Sequence, residues 1–193
     1  MSIPISLTER HAELTRQLIL DSAIDLLQQA PVHELSVRAV AKHAGMSERT
    51  VFRYFANRDD FLDGVAREVS QRLQAPPGPT SIASLLAYPA AIYARFEAMT
   101  ALTKAALHSE LFDRIRNADA HRRGVAIRAL IDRAAPDRPE RERKLAAANI
   151  RYYLIATAWH YYRFYFELSF EESVECACMA ITQTLHGLGI ESD

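Results

Sequence analysis

The sequence predicts an all-α protein, with a three-helix head over residues 1–58 and a larger helical body over residues 59–193. Apolar residues return at helical spacing through most of the chain, and no stretch of strand length alternates apolar with polar residues. Six glycines in 193 residues leave few of the turns a strand-rich fold needs. Ser36, Ser47 and Asn57 stand where helices would begin, and each can accept a hydrogen bond from an orphan backbone N–H of a first turn. With 49% apolar and 24% charged residues, the chain is long enough to bury a real core.

Residues 1–9 read as a loose arm. The first helix runs to about Gln29 with a buried stripe of Ile19, Ala23, Leu26, Leu27 and Ala30, and Pro31 ends it. Ser36 caps the second helix, and Leu35 and Val40 stand at staple positions on either side. Val37, Val40, Ala41 and Ala44 form its apolar face, while Arg38 and Lys42 lie one turn apart on another. Gly45 supplies the left-handed residue that closes this helix. Ser47 caps the third, with Met46 and Val51 as a second staple.

Helix four starts at Asn57, with Asp59 and Asp60 in the first turn, where the helix dipole favours them. Phe61, Leu62, Val65, Val69 and Leu73 repeat along it, making it the link between head and body. Ala75-Pro76-Pro77-Gly78-Pro79 cannot continue a helix. The next helix begins at Thr80 or Ser81 and reaches about Met99, kinked or split by Pro89. Further helices are expected over Leu102–Ile115 and Ala118–Ala134, followed by the Pro136–Pro139 turn.

A long helix over Glu140–Glu167 then begins charged and ends aromatic. Leu145, Ala148, Tyr152, Ile155, Ala156, Trp159 and Phe166 form one stripe; Tyr153, Tyr161, Phe164 and Tyr165 lie largely away from it. A helix apolar nearly all round is buried on more than one side, so the second side needs a partner. The last helix, Phe170–His186, carries Val174, Cys178, Ile181 and Leu185 on one face. Two such helices from each of two subunits would make a four-helix bundle across a two-fold axis. The expected interface is therefore Tyr161, Phe164, Tyr165, Val174, Cys178, Ile181 and Leu185.

The third helix points to nucleic acid. At 100° per residue, Val51 and Phe55 turn together into the core, Arg49, Phe52 and Arg53 lie roughly opposite, and Thr50 and Tyr54 form the flank. Two guanidiniums and exposed aromatics on so short a helix call for an external surface to bind. The spacing suits a helix-turn-helix, whose second helix enters the major groove. From Val37 to Arg58 five basic residues face one acidic residue, a local +4 in a chain of net charge −1. Arg16 could reach a phosphate or stay a solvated surface residue. Glu48 could read a cytosine amino group or simply favour the helix N-terminus.

The run GMSERTVFRYFANRDDFL, with RQLILDSAIDLL upstream, resembles the TetR family of bacterial transcriptional repressors over about the first third of the chain. The LSFEESVE junction resembles the family's C-terminal domain more weakly. The resemblance implies a homodimer with an all-helical ligand-binding body, released from its operator by a small molecule. It places Arg38 at the base-reading position of helix two. Ser47, Glu48, Arg49, Thr50, Phe52, Arg53 and Tyr54 fall around its DNA-contacting recognition helix, and Arg58 at its phosphate-binding cation. The chain departs from the pattern at Phe52, where the family usually has Tyr; a phenolic phosphate contact is replaced by apolar contact with sugar or a thymine methyl.

In the body, Phe96, Met99, Leu107, His108, Phe112, Tyr152, Ile155 and Trp159 either line a cavity for a small-molecule effector or are plain core. His108, Asn149, Arg151 and His160 either orient that ligand or are surface or hydrogen-bonded core residues. No nucleophile elbow, phosphate loop, HExxH or paired-carboxylate pattern occurs, and His121 and Glu110 have no orienting partner in sight, so no enzyme is expected. Cys176 and Cys178 point in different directions on a helix and give no metal framework, so neither disulfide, metal nor cofactor is expected. The apolar run 152–162 is too short to span a membrane, and a cytoplasmic location follows. The expected function is a ligand-responsive DNA-binding regulator, a homodimeric repressor of a palindromic operator. The other reading is a DNA-bound protein-interaction regulator without a small-molecule effector.

Overall fold

The computed structural model describes residues 6–29 and 35–191, with the side chains of 117–123 left out of the description. Of the arm expected over 1–9, residues 1–5 lie outside the described residues, and the rest is corrected, since Leu7–Glu9 already belong to the first helix. The stripe position of Ala30, the helix-ending role of Pro31 and the His121 side chain also lie outside the described residues. Every regular element among those described is helical. The chain forms two compact units, Met1–Arg72 with Lys104–Arg116, and Leu73–Thr103 with Asn117–Asp193.

The first unit holds α1 (Leu7–Gln29), α2 (Val37–His43), α3 (Glu48–Tyr54) and nearly all of α4 (Arg58–Leu73). Ile19, Ala23, Ile24, Val40, Val51, Phe55, Phe61, Leu62, Val65 and Val69 are fully enclosed, as helical spacing on each element requires. Leu26 is only half-buried; Leu20 and Ile24 take its place in the stripe of α1. The Phe55 and Phe61 rings meet edge to face at 5.5 Å. Arg16 lies 4.8 Å above the Phe55 ring centroid, which accounts for it as a cation–π cover on the core. Along α1 and α4, Arg72 pairs with Asp21 and Glu68, and Gln17 donates to both carboxylates. Asn57 Oδ1 accepts from Asp60 N and Asp60 Oδ2 accepts from Ala56 N, two side-chain hydrogen bonds that fix where α4 starts.

The second unit begins with the Ala75–Pro79 break, after which Ser81 and Ser84 cap α5 (Ile82–Ala98) reciprocally. Pro89 sits inside α5 without dividing it. The next helices differ from expectation. α6 covers Thr100–Leu107 and α7 runs unbroken over Phe112–Ala134, so the break falls at residues 108–111 rather than near 116. Its cause is local: Ser109 Oγ donates to Ala106 O and accepts from Leu111 N, competing with the helical ladder.

The expected long helix is also interrupted. α8 (Glu140–Tyr153) ends at Leu154, Ile155 is extended, and α9 (Ala156–His160) runs into a π-helical turn at Tyr161–Tyr165. The enclosed Tyr93 hydroxyl donates to the Tyr153 carbonyl at 2.8 Å, satisfying a backbone acceptor at the end of α8. Burial pushes the Tyr93 phenol upward, keeping it a proton donor. The stripe is corrected accordingly: Ala146, Ala147, Ile150, Leu154, Ala158 and Trp159 are buried, while Leu145, Ala148, Tyr152 and Phe166 face outward. The final helix, α10 (Phe170–Gly187), starts at a capping box in which Ser169 Oγ accepts from Glu172 N and Glu172 accepts from Ser169 N. It packs on α5 and α8.

Candidate nucleic-acid interface

Backbone chemistry sets the turn between α2 and α3. Ser36 Oγ accepts from Ala39 N, Gly45 takes φ 68°, and Met46 N returns to Ala41 O at 2.9 Å. Ser47, extended at φ −84° and ψ 153°, accepts from Thr50 N through its hydroxyl at 3.1 Å. A helix of seven residues has little stability of its own. Val51 and Phe55, both without solvent exposure, clamp it and set its rotation.

That rotation leaves Glu48, Arg49, Phe52 and Arg53 exposed and Thr50 and Tyr54 half-buried. Phe52 keeps 43% of its surface in water, an apolar ring with no core to fill. Arg53 lies 5.2 Å over the Tyr54 ring and donates to its hydroxyl at 3.3 Å. Hydrogen bonding with Thr15 and then Arg53 draws the Tyr54 phenol below its usual range. The Ser47 and Thr50 hydroxyls share a hydrogen bond at 2.9 Å, so both are committed to the cap before any ligand arrives.

Arg38 and Lys42 are exposed on α2. Among the described residues, neither these two nor Arg49 forms an ion pair, in contrast to Arg72, Arg114 and Arg128, which all hold carboxylates. Unpaired cations gathered on two short helices create the positive field that draws a polyanion. Arg58 differs: its Nη2 meets both oxygens of Glu110 at 2.7 and 2.8 Å. Sequence reasoning gave Glu110 no partner; the structure gives it Arg58 and the backbone N–H of Leu35.

The residues suggested for an effector do not all fall in one unit. Phe96, Met99, Tyr152, Ile155 and Trp159 lie in the second, Leu107, His108 and Phe112 in the first. Phe96 and Trp159 are buried with ring centroids 5.7 Å apart, whereas Tyr152 and His108 are exposed. Beside that ring pair, Glu97 Oε1 accepts from Trp159 Nε1 at 3.1 Å and from Arg163 Nε. This half-buried charge pair was invisible in sequence, since its members stand 66 positions apart. Asn149 is exposed and donates to Thr184 Oγ1.

Of the residues suggested for a subunit interface, Tyr161, Phe164 and Tyr165 are exposed and Val174 and Cys178 half-buried. Ile181 and Leu185 are corrected: both are completely buried in their own protomer against α5 and α8 and have no surface left to offer. Burial raises the Cys178 thiol, which donates to Leu86 O. Among the described residues no cluster of three or more His, Cys, Asp or Glu could hold a metal ion, and no helix is long and apolar enough to cross a membrane.

Residues 19–65 match the family described as bacterial regulatory proteins, tetR family. The fatty acid metabolism regulator protein of Bacillus subtilis (strain 168) is 32% identical over 50 residues, which are 26% of this chain and 26% of that protein. The match thus spans about a quarter of the relative's length. The crystal structure of a TetR-family transcriptional regulator from Streptomyces coelicolor has a TM-score of 0.58 over 90% of this chain and 80% of its own, at 17% identity. That of NalD, the secondary repressor of the MexAB-OprM multidrug efflux pump in Pseudomonas aeruginosa, gives 0.54 over 93% and 96%, at 16% identity. At such identities the two structures speak to the fold, and the family signature speaks to the head. The family is one of transcriptional regulators, not of enzymes. Residues 19–65 thus carry the signature of the tetR family of bacterial regulatory proteins, and they include the helix-turn-helix of a chain that is helical in every described regular element.

Proposed function

We propose that this protein is a homodimeric repressor that binds a palindromic operator through α3 and leaves it when a small-molecule effector binds the helical body. The observation that carries the reading is the face of α3, where Arg49, Phe52 and Arg53 are exposed while Val51 and Phe55 lock the helix from behind. Arg38, Ser47, Glu48, Thr50 and Tyr54 border that face, and Arg58 opens the helix that follows. Two heads are needed because one seven-residue helix reads few bases; their centres should lie about one duplex turn apart, roughly 34–36 Å, or somewhat more.

Selection from a random duplex pool tests this. The expected product is an inverted repeat, bound with an affinity that falls on the order of 10³–10⁵-fold between 50 and 200 mM salt if about 6–10 phosphates are engaged. Recovery of a single unrepeated half-site, or no enrichment at low salt, would overturn it.

For the dimer, Leu145 and Tyr152 on α8 and Met179 on α10 are each more than half exposed, and these two helices pack on each other. Large apolar side chains on adjoining helices suit a four-helix bundle with a second copy, alongside Tyr161, Phe164 and Tyr165. The double substitution Leu145→Glu, Met179→Glu should give a monomer at micromolar concentration by sedimentation equilibrium, with helical content unchanged and operator affinity greatly reduced. A dimer of undiminished stability would place the interface elsewhere.

The effector reading rests on Phe96, Ile155 and Trp159 beside the Glu97–Arg163 pair, where apolar surface meets a few polar groups. Release requires that the effector prefer the state that cannot bind DNA, since equal affinity for both states shifts nothing. The chain runs between the two compact units at Arg72–Leu73, Thr103–Lys104 and Arg116–Asn117, so α4, α6 and α7 are the covalent routes for that coupling. The cytoplasm, where Cys176 and Cys178 stay reduced, is the compartment that fits.

A further inference from the structure

Arg58 stands at the first helical position of α4, where the family resemblance places a phosphate-binding cation, yet its guanidinium is already engaged. Glu110 comes from the short connection between α6 and α7, a stretch that belongs to the first compact unit. Its two oxygens sit 2.7 and 2.8 Å from the same nitrogen, Arg58 Nη2. Oε1 also accepts from Leu35 N at 2.8 Å, just before the α2 cap. The first turn of α7, which follows that connection, is also tied to α4: Arg114 reaches Asp59 at 2.6 Å and Asp63 at 2.5 Å. These hydrogen bonds push the Arg114 guanidinium upward, with Asp63 the larger cause.

We propose that Glu110 is an internal substitute for DNA phosphate: it occupies Arg58 in the free protein, and Arg58 must change partner to engage the duplex. Three observations support this. Among the described residues the Glu110 carboxylate is the acidic group that pairs with Arg58, and it makes a charge-assisted contact of the kind a phosphate oxygen would make. The pair is open to exchange, because Arg58 keeps 47% of its side-chain surface and Glu110 23%. And among the described residues Arg58 pairs through Nη2, which leaves Nη1 and Nε to meet an incoming phosphate while the exchange proceeds.

The consequence is a brake on sequence-independent binding. Arg58 contributes its charge to the head only after giving up an existing partner, and Glu110 places a negative charge beside the approaching backbone. Any movement of the 108–111 connection would therefore alter DNA affinity without touching a base-reading residue. The inference rests on the phosphate role assigned to Arg58, and the experiment separates failure of that role from failure of the brake.

Glu110→Gln is the informative variant. It removes the charge but keeps a carbonyl oxygen for Leu35 N. The full-length protein would be titrated with a fluorescent non-operator duplex and with the selected operator, at fixed salt, alongside Arg58→Gln and the double variant. Expected is binding roughly two- to fivefold tighter for Glu110→Gln, the range an exposed ion pair can supply. Weaker binding is expected for Arg58→Gln, with less gain from Glu110→Gln in that background than in wild type. If Arg58→Gln leaves affinity unchanged, the phosphate role of Arg58 is wrong. If Arg58→Gln weakens binding but Glu110→Gln leaves it unchanged or weakens it too, Glu110 is a structural staple and the brake is overturned. An equal gain with and without Arg58 would also overturn it, since the effect would then be a general loss of negative charge.

Discussion

Replacing both Arg49 and Arg53 by alanine should abolish specific operator binding while leaving the protein folded. A well-placed bidentate arginine–base contact is worth about 1–3 kcal/mol, and a dimer would lose two arginines from each head. At the low end, four contacts of about 1 kcal/mol each would lower operator affinity on the order of 10³-fold. Stability should hardly change, because both side chains are exposed and the core behind them consists of Val51 and Phe55. Arg53 does stack on Tyr54, so a slight loosening there is expected, but no buried group is left unpaired. Fluorescence anisotropy with the selected operator, together with a thermal melt of the same sample, checks both halves. A variant that still binds as wild type would show that the exposed face of α3 is not the one presented to DNA.

That face was legible in the sequence because its determinants are local. Ser36, Gly45, Ser47 and Asn57 act within three or four residues of themselves, and the angular separation of Val51 and Phe55 from Arg49, Phe52 and Arg53 follows from helix geometry alone. What the sequence concealed depends on partners far along the chain. The end of α8 at Leu154 carries no glycine or proline; a carbonyl there is satisfied by the hydroxyl of Tyr93, 60 positions earlier. Within α8 itself the buried face is Ala146, Ala147 and Ile150, so Leu145 and Tyr152 of the expected stripe are exposed.

Glu110 was hidden in the same way. Its carboxylate looked isolated in sequence, and its meaning comes from Arg58, 52 positions away, and Leu35, 75 away. The two terminal helices show a different failure. Apolar periodicity correctly made Ile181 and Leu185 buried residues, but periodicity does not say whether the covering surface belongs to the same chain or to a second copy. Here it is the same chain, since α5 and α8 enclose α10.

Gly64→Ala should destabilise the protein, although propensity alone would make it stabilising by about 1 kcal/mol in a helix interior. Gly64 lies within α4, and a methyl group there would stand 2.7 Å from Cε1 of Phe55. The ring has no room to retreat: it is completely enclosed, meets Phe61 edge to face at 5.5 Å, and is covered by Arg16. Overpacking of that kind costs about 1–3 kcal/mol, enough to cancel the propensity gain and reverse its sign. Phe55→Ala attacks the same junction from the other side, and loss of a buried phenylalanine should cost about 3–5 kcal/mol. Against a typical domain stability of about 5–15 kcal/mol, that change alone brings the head close to unfolding and removes DNA binding with it. The decisive comparison is Gly64→Ala in a Phe55→Leu background. The shorter side chain removes the clashing atom, so the alanine should then be neutral or stabilising, and a double-mutant cycle in thermal melts should return a coupling of the order of 1 kcal/mol or more. If Gly64→Ala raises the melting temperature of the wild-type protein, the Phe55 ring is not held as the structure places it, and the clamp that orients α3 is looser than its burial implies.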